Sequence, residues 1–518
     1  MKRPFSLILV VAIFSCCNQQ NNQYGDVPQT IIVAGKIDNY EPNRDIRLLV
    51  NRIGFENEQI VAKTDTVGNF IATFESYIPL DVVIGYKTFF YLLLHPGDSL
   101  IVHFDGNCKN SPDLLETIKF GGDRAKTNRY AAKYQQLYYS SAHYGDWERN
   151  EKSMKEYDTD KYLQYLDTIR QEDKKLYDQF VTENRPDNES KKWALLFSEN
   201  RYYSRLAWYA SEHRRLNNMS IWNENFWDVP IGFYDSLCCH LPLDPSMFIS
   251  AHALNNFSGY FDSYVIDKLR DRQETMKNEE AEEGWRGWGI LPGGGMMSLP
   301  EVTDSIRIFS VIEFVPDSLL LQIMLTQYFN KTFEKQNITV YERFQNVANM
   351  YIKEPFLKEP LHQKYFQIKS IVENPQFSTE TIIKNVDNLS VKQIVDDILL
   401  QNKGKIIYVD FWATWCGPCL AEMPNSKILE HELKGQDVVF IYICLNSNEN
   451  QWKATLSKLQ LGGQHYFFSN KQSDDISKLF EISGIPFYLL IDKNGIINEK
   501  GSHLRPLIVK DKVKEMLK

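Results

Sequence analysis

The sequence predicts a multidomain protein with an N-terminal β-sandwich, a central all-α domain and a C-terminal α/β domain. Three observations predict this order. Short β-branched and aromatic runs fill residues 30–105, aromatic residues recur at helical spacing between about residues 123 and 385, and strand-like and helix-like segments alternate from residue 390 onward. A length of 518 residues fits about three domains at roughly 150 residues each.

The composition is that of a globular protein and argues against one class of partner. Hydrophobic residues make up 43% of the chain and charged residues 24%, which is enough apolar material for several cores. The formal net charge of −9 is spread along the chain, and no stretch forms a basic stripe. Nucleic acid is therefore not expected as a partner.

The first 16 residues have the layout of a secretory signal peptide. Lys2 and Arg3 precede an apolar run at residues 5–14, which is too short to span a bilayer as a permanent helix. The run Ile13-Phe14-Ser15-Cys16 resembles the lipobox of bacterial lipoproteins, with Phe14 a mild departure at the middle position. The resemblance implies cleavage before Cys16 and a lipid on Cys16. A plain cleaved signal is the alternative.

The polar residues after the signal are expected to act as a flexible tether at positions 17–29. The resemblance to lipoproteins then implies a protein anchored in a membrane and facing the periplasm, with inner and outer membrane both open.

Residues 30–110 are expected to form the β-sandwich. Turn signals separate six short runs, and Gly68-Asn69 and Pro96-Gly97-Asp98 are the clearest of them. The six runs are IIVAGKI, IRLLVNRI, NFIATFE, DVVIGY, FFYLLL and SLIVHFD.

Residues 120–388 are expected to form the all-α domain. Tyr162, Leu166, Ile169 and Phe180 fall on one face of a helix, and a second set from residue 193 to residue 206 does the same. We interpret these aromatic stripes as core. Glycine-rich segments at residues 285–289 and 291–297 are interpreted as connections, with a groove as the alternative.

Residues 389–518 are expected to form the α/β domain. The predicted strands lie at residues 405–412, 437–445, 487–491 and 496–499, and the predicted helices at residues 391–400, 418–433, 451–459, 474–482 and 507–516. Strands and helices at these intervals imply a mixed sheet covered on both faces.

Two cysteines separated by two residues, Cys416 and Cys419, stand where the first predicted strand of this domain gives way to a helix. The N–H groups and partial positive charge of a helix N-terminus favour a thiolate, so Cys416 is predicted to be the exposed nucleophile and Cys419 the residue that resolves its mixed disulfide. A structural disulfide and a metal site are the alternatives. No metal is expected, because His431 and His465 are isolated in sequence and no second CxxC follows.

The other cysteines do not change this interpretation. They are Cys17, Cys108, Cys238, Cys239 and Cys444, too few in so long a chain for a disulfide-built scaffold. Cys444 is interpreted as a buried inert thiol.

The segment from Asp410 to Cys419, DFWATWCGPC, resembles the active-site segment of thioredoxins, and Gly484-Ile485-Pro486 resembles the cis-proline loop of that fold. Glu422 and Pro424 further resemble residues of the TlpA/ResA-like extracytoplasmic oxidoreductases. The resemblance implies a thioredoxin fold over residues 389–518. The strands ahead of it resemble the β-domains that precede thioredoxin-like modules in Bacteroidetes lipoproteins.

The resemblance also implies roles for individual residues. Asp410 by the thioredoxin match and Glu422 by the TlpA/ResA match are both candidates to take the proton of Cys419. Trp415 is expected to shield Cys416 and contact the partner protein. Pro486, if cis, would expose the backbone of Ile485 to an extended substrate segment.

The predicted function is reduction of protein disulfides outside the cytoplasm. The redox-active Cys416–Cys419 disulfide is expected to need no further cofactor. An extracytoplasmic reductant needs electrons from a membrane donor, and the resemblance implies a donor of the CcdA or DsbD type. The alternative is a lipid-anchored binding protein that uses the thioredoxin module as a scaffold. CxxC disfavours peroxidase chemistry.

Overall fold

The computed structural model describes residues 26–141, 144–219, 228–235, 245–278, 289–290, 296–297 and 300–518. The predicted signal peptide with Cys16, the Cys238-Cys239 pair and most of the glycine-rich segments lie outside these residues. The chain forms two compact units, the first ending at Tyr260 and the second running from Phe261 to Lys518.

Two four-stranded sheets make up the amino-terminal part of the first unit, in the orders β4-β1-β7-β8 and β3-β2-β5-β6. The strands are β1 (Gln29–Asp38), β2 (Ile46–Val50), β3 (Glu58–Ala62), β4 (Asn69–Ser76), β5 (Leu80–Gly85), β6 (Phe89–Leu94), β7 (Ser99–Asp105) and β8 (Lys119–Gly122). Every second residue of β4 is buried, as expected of a strand with one face on a core. Phe90 of β6 contacts Phe104 of β7 across the two sheets. The predicted sheet-rich amino-terminal region is confirmed.

Two of these strands, β3 and β8, were absent from the sequence prediction. Both lie at sheet edges, β3 beside β2 and β8 beside β7. β8 is the four-residue segment KFGG, whose residues are half-buried or exposed. Such a segment has neither the alternation of apolar and polar residues nor the β-branched residues that predict a strand. It is a strand because its backbone is hydrogen-bonded to β7.

Helices fill the middle of the chain, as predicted. They are α1 (Ser111–Thr117), α2 (Ala125–Tyr139), α3 (Trp147–Glu156), α4 (Thr159–Asn184), α5 (Asn188–Leu216), α6 (Ala251–Asn278), α7 (Pro300–Phe314), α8 (Ser318–Glu334), α9 (Thr339–Arg343), α10 (Gln345–Tyr351) and α11 (Pro355–Glu373). A 3₁₀ turn, Pro245–Ser250, precedes α6, and the two-residue strands β9 (Gly289–Ile290) and β10 (Met296–Met297) follow it.

The predicted aromatic stripes lie in the core. Tyr162 of α4 stacks on Tyr209 of α5 with ring centroids 4.0 Å apart, and Trp193 is fully buried. Among the described helices, none is both long and apolar enough to cross a bilayer.

The second unit contains the C-terminal α/β domain, whose first strand is β11 (Thr381–Lys384). Its further elements are α12 (Val391–Gln401), β12 (Ile406–Trp412), α13 (Gly417–Glu432), β13 (Val438–Cys444), α14 (Glu449–Leu459), β14 (Gly463–Phe467), α15 (Asn470–Phe480), β15 (Phe487–Ile491), β16 (Ile497–Gly501) and α16 (Pro506–Leu517). They form a six-stranded mixed sheet in the order β11-β14-β13-β12-β15-β16. The predicted multidomain arrangement is confirmed, while the individual domain limits stay predictions.

β11 and β14 were also absent from the sequence prediction. β14 lies between β11 and β13 in the sheet. The strand begins with Gly463, Gln464 and His465, a start too polar to predict a buried strand from its own pattern.

Side chains alternate along the central strand β12 and define the two faces of this sheet. Tyr408 and Trp412 lie in one core, which also contains both cysteines of the CxxC pair. Val409 and Phe411 lie in the core on the opposite face. Asp410 therefore shares the face of the CxxC pair, since alternate residues of a strand point to the same side.

Candidate active site

The CxxC pair forms a disulfide at the start of α13. β12 ends at Trp412, a short loop follows, and Cys416 is the residue that caps the helix, with Pro418 in its first turn. The Cα atoms of Cys416 and Cys419 are 5.3 Å apart. Proline suits this position because the first helical N–H groups have no partner within the helix.

The helix N-terminus acts directly on the sulfur of Cys416. The backbone N–H of Cys419 donates to Sγ of Cys416 at 3.2 Å. When the disulfide is reduced, this N–H and the partial positive charge of the helix start favour a negative charge on that sulfur.

The exposure predicted for Cys416 is wrong in the disulfide form. Cys416 is 4% exposed and Cys419 1% exposed. The reason is that the sulfur of Cys416 turns toward Cys419 and the first turn of the helix. The surface around it is contributed instead by its exposed neighbours Trp415, Gly417 and Pro418.

Asp410 lies in the middle of β12, paired with Tyr442 on one side and Tyr488 on the other. It is fully buried, and neither carboxyl oxygen has a hydrogen-bond partner among the described residues. Burial raises the pKa of Asp410 well above its ordinary value, and the charge of Glu422 raises it further. Both effects favour the protonated form of Asp410 over the carboxylate.

Glu422 lies one turn beyond Cys419 on α13 and is engaged at both oxygens. Oε1 is 2.7 Å from Nη1 of Arg505, and Oε2 accepts from Nδ2 of Asn425 at 2.9 Å. The two predicted candidates for the proton acceptor thus differ in their surroundings: Glu422 is ion-paired, whereas Asp410 has no hydrogen-bond partner among the described residues. Arg505 was not singled out from the sequence, in which it stands 83 positions after Glu422 and in no motif.

Trp415 is 57% exposed, and its indole N–H donates to the carbonyl of Asn446 at 2.7 Å. The backbone N–H of Thr414 donates to Oγ of Ser447 at 3.1 Å. The loop after β13 therefore holds the loop before the CxxC pair, and the indole face remains open to solvent beside Cys416.

The Ile485–Pro486 peptide bond is cis, as the resemblance implied. It directly precedes β15, whose first residue, Phe487, pairs with Phe411 near the end of β12. Ile485 is half-buried and packs against the core that contains both cysteines. The cis-proline loop and the disulfide therefore lie at the same end of the central strands, where β12 ends and β15 begins.

Cys444 ends β13 and pairs with Trp412. It is fully buried, and burial raises the pKa of its thiol to about 12. This placement agrees with a buried thiol that packs as a small apolar side chain. Within the described part of the chain, no three His, Cys, Asp or Glu side chains converge on a point where they could hold a metal ion.

The fold and the disulfide define the class of this domain: a thioredoxin fold with a CxxC pair at a helix start. A family model described as thioredoxin-like matches residues 404–497. Relatives carry the name thiol-disulfide oxidoreductase ResA. The chain is 29% identical over 125 residues to the one from Oceanobacillus iheyensis. The aligned stretch covers 24% of this chain and 60% of that protein. The chain is also 29% identical over 157 residues to one from Bacillus cereus strain ZK, or 30% of this chain and 82% of that protein.

A solved structure of the thioredoxin domain of a thiol-disulfide oxidoreductase from Bacteroides vulgatus is 24% identical, covering 23% of this chain and 84% of that chain, with a TM-score of 0.22. The C-terminal domain is thus thioredoxin-like and is similar to proteins named thiol-disulfide oxidoreductase ResA.

Proposed function

We propose that this protein reduces protein disulfides outside the cytoplasm, with Cys416 as nucleophile and Cys419 as resolving cysteine. The observation that carries the proposal is the disulfide at the start of α13, on the same face of the sheet as the buried, unpartnered carboxyl of Asp410. The names of the ResA relatives support the reaction type.

The reaction begins with the reduced pair. The Cys416 thiolate attacks a substrate disulfide, forms a mixed disulfide and releases one substrate thiolate. The Cys419 thiol then gives its proton to the carboxylate of Asp410 and attacks Sγ of Cys416. The second substrate thiolate leaves, two electrons have moved to the substrate, and the Cys416–Cys419 bond is restored.

The disulfide is reduced again when a donor dithiol attacks Cys416. A donor thiolate forms a mixed disulfide with Cys416 as the Cys416–Cys419 bond breaks, and Cys419 leaves as a thiolate that takes the proton held by Asp410. The second thiolate of the donor then attacks the donor sulfur of the mixed disulfide, so that the donor leaves as a disulfide and Cys416 leaves as a thiolate. We assign this proton to Asp410 over Glu422 because both oxygens of Glu422 are engaged by Arg505 and Asn425. Trp415 and the backbone at Ile485 would contact the substrate chain.

The location and partners belong to the same proposal. A lipid on Cys16 would anchor the protein at a membrane, facing the periplasm. In that oxidising compartment a reductant needs electrons from a membrane protein of the CcdA or DsbD type. Labelling of the expressed protein with radioactive palmitate tests the anchor, and Cys16→Ala should abolish the label.

The enzyme assay uses purified full chain, insulin and dithiothreitol. Wild type should accelerate insulin precipitation, whereas Cys416→Ala and Cys419→Ala should fall to the rate of dithiothreitol alone. Cys108→Ala, a free cysteine in the first unit, is the matched control and should keep the wild-type rate. Equal rates for all four proteins would overturn the proposal and favour the lipid-anchored binding protein.

A further inference from the structure

The start of α14 lies at the same edge of the sheet as the CxxC pair. β12 and β13 run parallel to each other, so the segments that follow them leave the sheet on the same side. One segment carries the disulfide, and the other, residues 445–448, leads into α14. The two segments contact each other where Trp415 and Thr414 donate to Asn446 and Ser447.

The residue that anchors Trp415 is closely followed by the first turn of α14. Asn446 accepts from the indole N–H of Trp415, and only Ser447 separates it from Asn448, the residue that caps α14. The side chain of Asn448 accepts from the backbone N–H of Gln451 at 3.1 Å. The position of this first turn therefore restricts where the carbonyl of Asn446 can lie.

The first turn of α14 is in turn anchored by the central helices of the second unit. Nε2 of Gln451 donates to the backbone carbonyl of Lys335 at 2.6 Å, across 116 positions of sequence. Lys335 is the residue that caps the C-terminal end of α8, and the last carbonyls of a helix have no partner within the helix. Gln451 thus satisfies one of these carbonyls and ties α14 to α8.

Other contacts hold the rest of α14 against the same helices. Lys458, two turns beyond Gln451, has its Nζ 3.4 Å from the backbone carbonyl of Glu334 and 3.5 Å from its carboxylate. At the far end of α14, Nε2 of Gln460 donates to the carbonyl of Gln376 at 2.7 Å. Gln451 therefore provides the contact at the active-site end of α14.

We propose that Gln451 is a positioning residue: by tying the first turn of α14 to α8, it fixes the carbonyl of Asn446 and with it the orientation of the Trp415 indole. The backbone N–H of Asn446 also donates to Oγ of Ser473 on α15 at 3.1 Å, which holds the loop from within the α/β domain. Gln451 adds the connection that reaches outside this domain, so the central helices act on the surface beside the disulfide. The effect on substrates rests on the proposed function, whereas the orientation of the ring does not.

The direct test is fluorine NMR of the full chain labelled with 5-fluorotryptophan. The chain has ten tryptophans, and the Trp415 resonance is the one that is missing from Trp415→Phe. Gln451→Met keeps an unbranched side chain but has no N–H donor, so it should shift or broaden the Trp415 resonance. Gln460→Met is the matched control, because it removes the same kind of bond at the far end of the same helix.

The control should leave the Trp415 resonance where it lies in wild type. An unchanged Trp415 resonance in Gln451→Met would overturn the inference, and so would an equal change in Gln451→Met and Gln460→Met.

The kinetic test uses a protein disulfide and a small disulfide. Gln451→Met should lower kcat/KM for the protein disulfide about threefold, within the range for the loss of one hydrogen bond, and mainly through KM. The value for the small disulfide should stay at that of wild type, as should both values for Gln460→Met. In a Trp415→Ala background, Gln451→Met should have no further effect, because the ring on which it acts is absent.

A wild-type kcat/KM of Gln451→Met for the protein disulfide would overturn the inference, and so would a loss that persists without Trp415. The proposed function fails separately. If wild type does not accelerate insulin reduction while the Trp415 resonance responds to Gln451→Met and not to Gln460→Met, Gln451 positions the ring and the proposed reaction is wrong.

Discussion

Trp415 donates its indole N–H to the backbone carbonyl of Asn446 at 2.7 Å, although 57% of the residue is exposed. An exposed ring anchored at one end keeps its orientation without being packed away. Trp415 is therefore a fixed apolar surface beside the disulfide, and under the proposed function a substrate chain would contact it.

Truncation of this surface should affect protein substrates selectively. We expect Trp415→Ala to lower kcat/KM for the reduction of a protein disulfide by the reduced enzyme about tenfold. This is the cost of losing one well-placed aromatic contact. Cleavage of a small aromatic-free disulfide should change less than twofold. Trp415→Phe keeps an aromatic face but loses the hydrogen bond, so its value should fall in between. A similar loss on both substrates would instead place Trp415 in the chemical step.

The sulfur of Cys416 should ionise at low pH once the disulfide is open. The N–H of Cys419 and the helix start stabilise the thiolate, which typically brings the pKa of such a cysteine to about 3.5–7.5. Absorbance at 240 nm in Cys419→Ser should titrate in that range, with Cys416→Ser/Cys419→Ser subtracting the other cysteines. A titration near pH 8.5 would show that the helix start has no effect on this sulfur.

Cys444 should be chemically silent in the folded protein. Its thiol is fully buried with a pKa of about 12, so at pH 8 only about one molecule in ten thousand carries the reactive thiolate. Peptide mapping after N-ethylmaleimide treatment should find Cys444 unlabelled when Cys108, a half-buried free cysteine, is already modified. Both should react in guanidinium. Equal labelling in the native protein would contradict the burial.

Asp410 should make the domain less stable as pH rises. In the unfolded chain its carboxyl has an ordinary pKa of 3.8, while burial and the Glu422 charge raise that pKa in the folded state. Unfolding therefore releases a proton between these two pKa values, and stability falls as pH rises through this window. The loss is absent below pH 3.8.

Asp410→Asn removes the titration and should stabilise the domain by about 1–3 kcal/mol at pH 8, with little effect at pH 4. The measurement is the thermal transition that moves when the Cys416–Cys419 disulfide is reduced. The control is Lys510→Met, which breaks the Lys510–Glu432 ion pair between α16 and α13. Parallel pH curves for Asp410→Asn and wild type would rule out a buried protonated acid.

Much of the fold was predictable because its signals are local. A strand such as β12 carries its own run of buried residues, and the start of α13 carries its own proline. The edge strand β8 and strand β14, which begins with polar residues, carry no such signal. They are strands because they are hydrogen-bonded to neighbouring strands. Burial of Cys416 was likewise missed because it depends on where the sulfur turns in the disulfide.

The candidate reactive groups could be found from sequence alone, because Cys416, Cys419 and Asp410 lie within ten positions on one strand, one loop and one helix start. The tertiary structure alone decided how the two candidate carboxylates differ. Glu422 is ion-paired with Arg505, which lies 83 positions further along the chain, while both carboxyl oxygens of Asp410 lack a partner among the described residues. The Arg505–Glu422 pair forms because strand order and helix packing bring α16 beside α13. No local pattern of charged residues in the sequence predicts that contact.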